Sequence, residues 1–169
     1  MIRRERTPER ALHAHYADQG AYVDCYAADI DRVVTFEQFV GAFYTKWLFK
    51  LERWILAWTV KKPSSDEEAQ DIARARRSRF AAWSEEARAV DQLLMCDFLG
   101  ATRSWFMIRP HESGTHLYFG SVVTARRNPR TGHLELGRGY RLLLGFHKLY
   151  SRALLQAARS KLRRQLPLE

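Results

Sequence analysis

Cysteine is scarce in this chain: Cys25 and Cys96 are the only two in 169 residues, far apart and in no C-x-x-C pair. That leaves no disulfide framework and no thiolate zinc site. Free cysteines in apolar runs act as small hydrophobes. A charge-free apolar run is missing as well. The most apolar stretch, residues 36–60, carries Lys46, Lys50, Glu52 and Arg53, each costly at a bilayer centre, so no transmembrane segment is expected. The opening Met1-Ile2-Arg3-Arg4-Glu5-Arg6 lacks the apolar core of a signal peptide, which makes a reducing, cytoplasmic location the expectation. There is no G-x-S-x-G elbow, and Gly137 and Gly139 follow no strand of a βαβ unit. No cofactor and no catalytic set are therefore expected. The six histidines include no i, i+4 pair on a helix, and no carboxylate completes a facial triad by spacing. No metal site is expected either.

What is present is enough for a packed core: 46% of residues are hydrophobic and 12% aromatic. The organisation expected is an N-terminal tail, residues 1–19, and a single α+β domain over residues 20–166. The net charge of +9 would draw the chain toward phosphates or anionic lipid. Lysine is rare and arginine abundant, which also fits arginine as the general solubilising residue.

The hydrophobic period changes twice. Residues 21–30 (Tyr22, Val23, Cys25, Tyr26, Ile30) read as a first strand. Thr35 with Gln38 is a capping-box signature for a helix over residues 36–60. On a wheel of 100° per residue, Lys46, Lys50 and Arg53 share one stripe. Phe36, Val40, Phe43, Tyr44, Trp47, Leu51, Trp54 and Trp58 lie opposite, with Phe49, Leu56 and Val60 on a third flank. Such a helix is sandwiched in a core, forms a homodimer contact, or lies at a membrane interface; the sandwiched core ranks first. Ser65 then caps a helix over 66–77 whose acids precede its arginines, matching the macrodipole, so Arg74, Arg76 and Arg77 are assigned to helix chemistry.

From Phe80 the period is two. Residues 80–89, 92–99, 102–108 and 115–125 form an antiparallel meander, five strands with the first. A two-residue loop at Gly100-Ala101 would pair Phe98 with Arg103, Asp97 with Ser104 and Cys96 with Trp105. One face then carries Leu94, Cys96, Phe98, Arg103, Trp105 and Met107, and the other Leu93, Met95, Asp97, Ser104, Phe106 and Ile108. Both are apolar, so both should be covered. After a basic turn at 126–136, residues 140–165 read as an amphipathic helix of about 39 Å with Leu142, Phe146, Leu149, Tyr150, Leu154 and Ala158 on its apolar side.

Two polar residues stand out. Asp97 either bonds Ser104 or serves as a pocket carboxylate of raised pKa. Arg103, flanked by Phe98 and Trp105, either stacks on Trp105 at the surface or holds a ligand carboxylate.

The runs Ala42-Phe43-Tyr44-Thr45, Lys50-Leu51-Glu52-Arg53, Thr102-Arg103-Ser104-Trp105, Leu117-Tyr118-Phe119-Gly120-Ser121 and Leu144-Gly145-Phe146-His147-Lys148-Leu149-Tyr150-Ser151 resemble a bacterial family of unknown function. Related domains of that family occur fused behind NmrA-like short-chain-dehydrogenase modules. At fold level the chain is similar to the START/Bet v 1-like (SRPBCC-like) helix-grip group, a curved antiparallel sheet gripping a long C-terminal helix. The resemblance implies a hydrophobic ligand between sheet and helix, and no catalytic motif carries over. The leading expectation is thus a non-catalytic pocket for a small hydrophobic or amphipathic acid, lined by Phe98, Arg103, Trp105, Tyr118, Phe146 and Tyr150. The alternatives are a basic surface module for nucleic acid or anionic membrane, with no specific nucleic-acid partner expected, and a cyclase-like enzyme using Asp97.

Overall fold

Two capping boxes set where the first long helices begin. Thr35 N donates to Gln38 Oε1 at 2.8 Å and Gln38 N to Thr35 Oγ1 at 3.2 Å, starting α2 (Phe36–Tyr44). Ser65 and Glu68 exchange the same pair of bonds at 3.1 Å each and start α3 (Asp66–Ala73). The computed structural model describes residues 1–44, 65–124, 126–127, 134–135 and 140–165, with side chains excepted at 126–127, 134–135 and 140–148. The rest of the expected 36–60 helix, with its cationic stripe and its homodimer and membrane readings, lies outside the described residues. Among the described residues no helix is long and apolar enough to cross a membrane. Helix α3 stops four residues early because Ala75 takes a left-handed φ of 56°. The arginines that follow it pair with acids: Arg74 with Glu37 of α2 at 2.6 Å, and Arg77 with Glu68 of α3 itself.

The sheet has seven antiparallel strands: β1 (Arg3–Arg4), β2 (Tyr22–Ile30), β3 (Arg79–Phe80), β4 (Trp83–Ala89), β5 (Gln92–Asp97), β6 (Thr102–His111) and β7 (Gly114–Val123), in the order β1-β2-β7-β6-β5-β4-β3. A separate hairpin joins β8 (Arg126–Arg127) to β9 (Leu134–Glu135). The two strands beyond the expected five are two-residue edges. One comes from the N-terminal segment. The other is cut from 80–89 by a turn at Ala81, whose φ of 52° no glycine or asparagine announces. Hairpin β5–β6 pairs Cys96 with Arg103 and Leu94 with Trp105, two residues away from the expected register, because the connection takes four residues rather than two. A slip of two leaves every side chain on its expected face.

Both faces are covered. The inner face (Tyr26, Ala28, Ile30, Leu93, Met95, Phe106, Leu117, Phe119) packs against α2, α3 and the C-terminal helix α4 (Tyr140–Gln165). There the Phe43 ring lies 4.8 Å from Phe106 and 4.7 Å from Phe119. Helix α4 runs in the same direction as β2: Arg159 Nε donates to the Asp29 carbonyl at 2.6 Å, and Arg163 pairs with Asp31 at 2.5 Å. The outer face (Cys25, Ala27, Leu94, Trp105, Met107, Tyr118, Val122) is covered by Ala11, His13 and Tyr16 around α1 (His15–Asp18). Residues 1–19 therefore lie against the sheet rather than forming a separate tail. Gln92 clasps them: its Oε1 accepts from Leu12 N at 3.1 Å and Trp105 Nε1 at 2.9 Å, and its Nε2 donates to the Arg10 carbonyl at 3.1 Å. Only glycine fits at Gly120, where a Cβ would meet the Asp24 carbonyl at 2.6 Å and His13 Nε2 at 2.8 Å.

Candidate ligand site on the inner sheet face

Residues directly opposite one another form rows across the sheet, and on the inner face these rows change character. One row reads Tyr26, Phe119, Phe106, Leu93 from β2 to β5. The next, about 7 Å along the strands, reads Asp24, Ser121, Ser104, Met95. Aromatic rings give way to a carboxylate and two hydroxyls. Asp24 is 2% exposed, and no described residue forms an ion pair with it. Its Oδ1 accepts from Ser121 N at 3.0 Å and Ser121 Oγ at 2.6 Å, and its Oδ2 accepts from the Tyr22 hydroxyl at 3.2 Å. Burial first, then the Asp24 charge, raises the phenol pKa values of Tyr22 and Tyr26, so both remain hydroxyl donors.

Helix α4 adds a further polar group. Ser151 lies on the stripe that carries Leu155, Ala158 and Leu162 toward the core, and it is 1% exposed. Its Oγ has no hydrogen-bond partner among the described residues. Trp83 Nε1, opposite Asp97 on β4, is also buried and unpartnered. A buried polar group left unpaired costs about 1–3 kcal/mol, so Ser151 Oγ and Trp83 Nε1 are inner-face groups with bonds to offer a ligand.

The six residues expected to share a pocket do not come together. Arg103, Trp105 and Tyr118 are on the outer face, whereas Tyr150 packs against the inner core, so the thickness of the sheet separates them. Trp105 is fully buried beneath His13, with ring centroids 4.2 Å apart. Arg103 pairs with Glu86 at 3.1 Å, donates to the Gly100 carbonyl at 2.6 Å and lies 4.7 Å over the Tyr16 ring. It fastens the N-terminal segment, so neither of its expected roles applies. Phe98 sits half exposed in the β5–β6 turn, and the side chain of Phe146 lies outside the described residues. Asp97 bonds the turn instead of Ser104, accepting from Ala101 N at 2.8 Å and Thr102 Oγ1 at 2.9 Å.

The outer face has an open cleft of about 920 Å³ between the N-terminal segment and the sheet. Acids (Glu5, Glu9, Asp18) and bases (Arg6, Arg109) share its walls with Tyr118, so neither charge sign is selected. Beside it, His111, His116 and Asp29 converge, a potential metal-ligand set that sequence spacing could not reveal because it joins residues from three strands. Both cysteines are free thiols, and burial pushes Cys25 up to about 12, leaving it inert. Comparison with protein-family models, curated proteins and solved structures finds no match to this chain.

Proposed function

We propose that this chain is a START/Bet v 1-like helix-grip protein that binds a small, mainly apolar molecule bearing a hydroxyl or amino group, between the sheet and α4. The observation carrying this reading is the polar row on the inner face, with buried Asp24 and the unpartnered Ser151 Oγ beside an otherwise aromatic core. The strand order supports the architecture: β2 and β7 lie side by side, α2 and α3 follow β2, and the long helix closes the chain. An acidic ligand is not part of the proposal, because Arg103, the residue that suggested one, is on the opposite face. A carboxylate and hydroxyls instead favour donors. With Asp97 held in a turn, a binding role ranks ahead of catalysis.

Ser104 sits in the polar row directly opposite Ser121, so Ser104→Leu should fill the site while adding apolar burial. Native mass spectrometry of protein purified from its host should show a bound small molecule in the wild type and none in S104L, with the thermal midpoint unchanged or raised. A wild type that carries nothing, and shows no mass shift with a panel of sterols, fatty alcohols and long-chain amines, would refute the reading. The same adduct retained in S104L would refute the location.

A further inference from the structure

The outer face carries a group of side chains that the proposed ligand site does not use. His116 on β7 lies directly opposite Asp29 on β2, and its Nδ1 contacts Asp29 Oδ1. His111, at the end of β6, is the diagonal neighbour of His116 across the hairpin, and their rings lie 4.3 Å apart. All three positions share the outer-face parity of their strands. One ligand atom from each lies within 4.8 Å of the others. The backbone beneath is held fast: Gly114 closes the hairpin at φ 156°, where a Cβ would meet the Ile30 carbonyl at 2.1 Å. His111 Nε2 is buried without a hydrogen-bond partner. Its Nδ1 accepts from Ser113 N at 3.4 Å and lies 3.3 Å from the Ser113 hydroxyl, which puts the ring proton on Nε2; an ion at Nε2 would shift that proton to Nδ1, where the hydroxyl can accept it in place of the N–H contact.

We propose that Asp29, His111 and His116 form a binding site for a divalent transition metal of the zinc class. Two imidazoles and one carboxylate suit borderline ions such as Zn²⁺ or Co²⁺. Ligand atoms about 2.1 Å from a tetrahedral ion stand roughly 3.4 Å apart, so the set closes by modest side-chain rotation. One cation already competes for the site: the Arg3 guanidinium pairs with Asp29 and also with Glu5. The metal and Arg3 therefore exclude one another at the carboxylate, and the N-terminal strand β1 is coupled to occupancy.

The test uses tag-free full-length protein, with calorimetry for Zn²⁺ and visible absorption for Co²⁺. The wild type should bind one ion. H111A and H116A should each weaken binding by at least ~10-fold. Arg3→Gln should tighten it several-fold, an effect that misfolding cannot produce. The proposal is overturned if H111A and H116A bind as the wild type does, which would place the ion elsewhere, for example at His13 and His15. It is also overturned if neither the wild type nor R3Q binds below about 100 μM.

Discussion

At the residue scale, His13 carries the clearest pH consequence. It is fully buried, and desolvation, partly offset by the Asp24 carbonyl, lowers its pKa from 6.5 to about 4. The unfolded chain takes up a proton as pH falls through 6.5, while the folded chain resists until about 4. Stability is therefore fully present above 6.5 and declines between those values, by up to roughly 3 kcal/mol at ~1.4 kcal/mol per pH unit. In His13→Phe, which keeps a ring against Trp105 without a titrating group, that part of the slope should vanish. Urea unfolding from pH 4 to 7 measures both proteins, and equal slopes would contradict the assignment. His13 also shows how sequence reading fails here. Paired with His15 in an apparently loose segment, it gives no sign of the Gly120 gap that receives it.

At the element scale, the sheet ends on two-residue strands at both edges, Arg3–Arg4 and Arg79–Phe80. Very short, charged edges discourage pairing with a second sheet. Deleting residues 1–6 removes β1 and bares the nine-residue β2, so the truncated protein should self-associate where the full chain stays dispersed. Light scattering across a concentration series would show this, and a monomeric truncation would remove the guarding role. Legibility differed sharply between elements. The capping box at Thr35 and the N-cap at Ser65 were readable because capping is local chemistry. The division of residues between sheet faces was readable because alternation survives a two-residue slip. The turn at Ala81 and the docking of residues 1–19 were not, since one needs an unusual φ on an ordinary residue and the other depends on contacts such as Gln92 with Arg10 and Leu12. The expected ligand set failed for a related reason: parity groups residues on a face but does not say which face the helix takes.

At the scale of the whole molecule, the charge of +9 is spread thin. Arg3, Arg10, Arg74, Arg77, Arg88, Arg103 and Arg163 each pair with an acid, and most of these pairs tie one element to another. Such arginines act as staples, and among the described residues they leave no concentrated phosphate-facing stripe. Duplex DNA should bind weakly at low salt, with affinity falling steeply along a log–log slope of about −0.9 per phosphate neutralised. Fluorescence anisotropy should detect no binding near physiological salt, and submicromolar affinity there would restore the nucleic-acid alternative. The strand order has one more consequence, in time rather than in space. Cys25 pairs with Gly120, so β2 must wait for β7 to be synthesised, roughly 90 residues later. At ribosomal speeds of about 5–20 residues per second, that is on the order of 5–20 s with an apolar strand lacking its main partner. During that interval the nascent chain is a natural client for a holding chaperone.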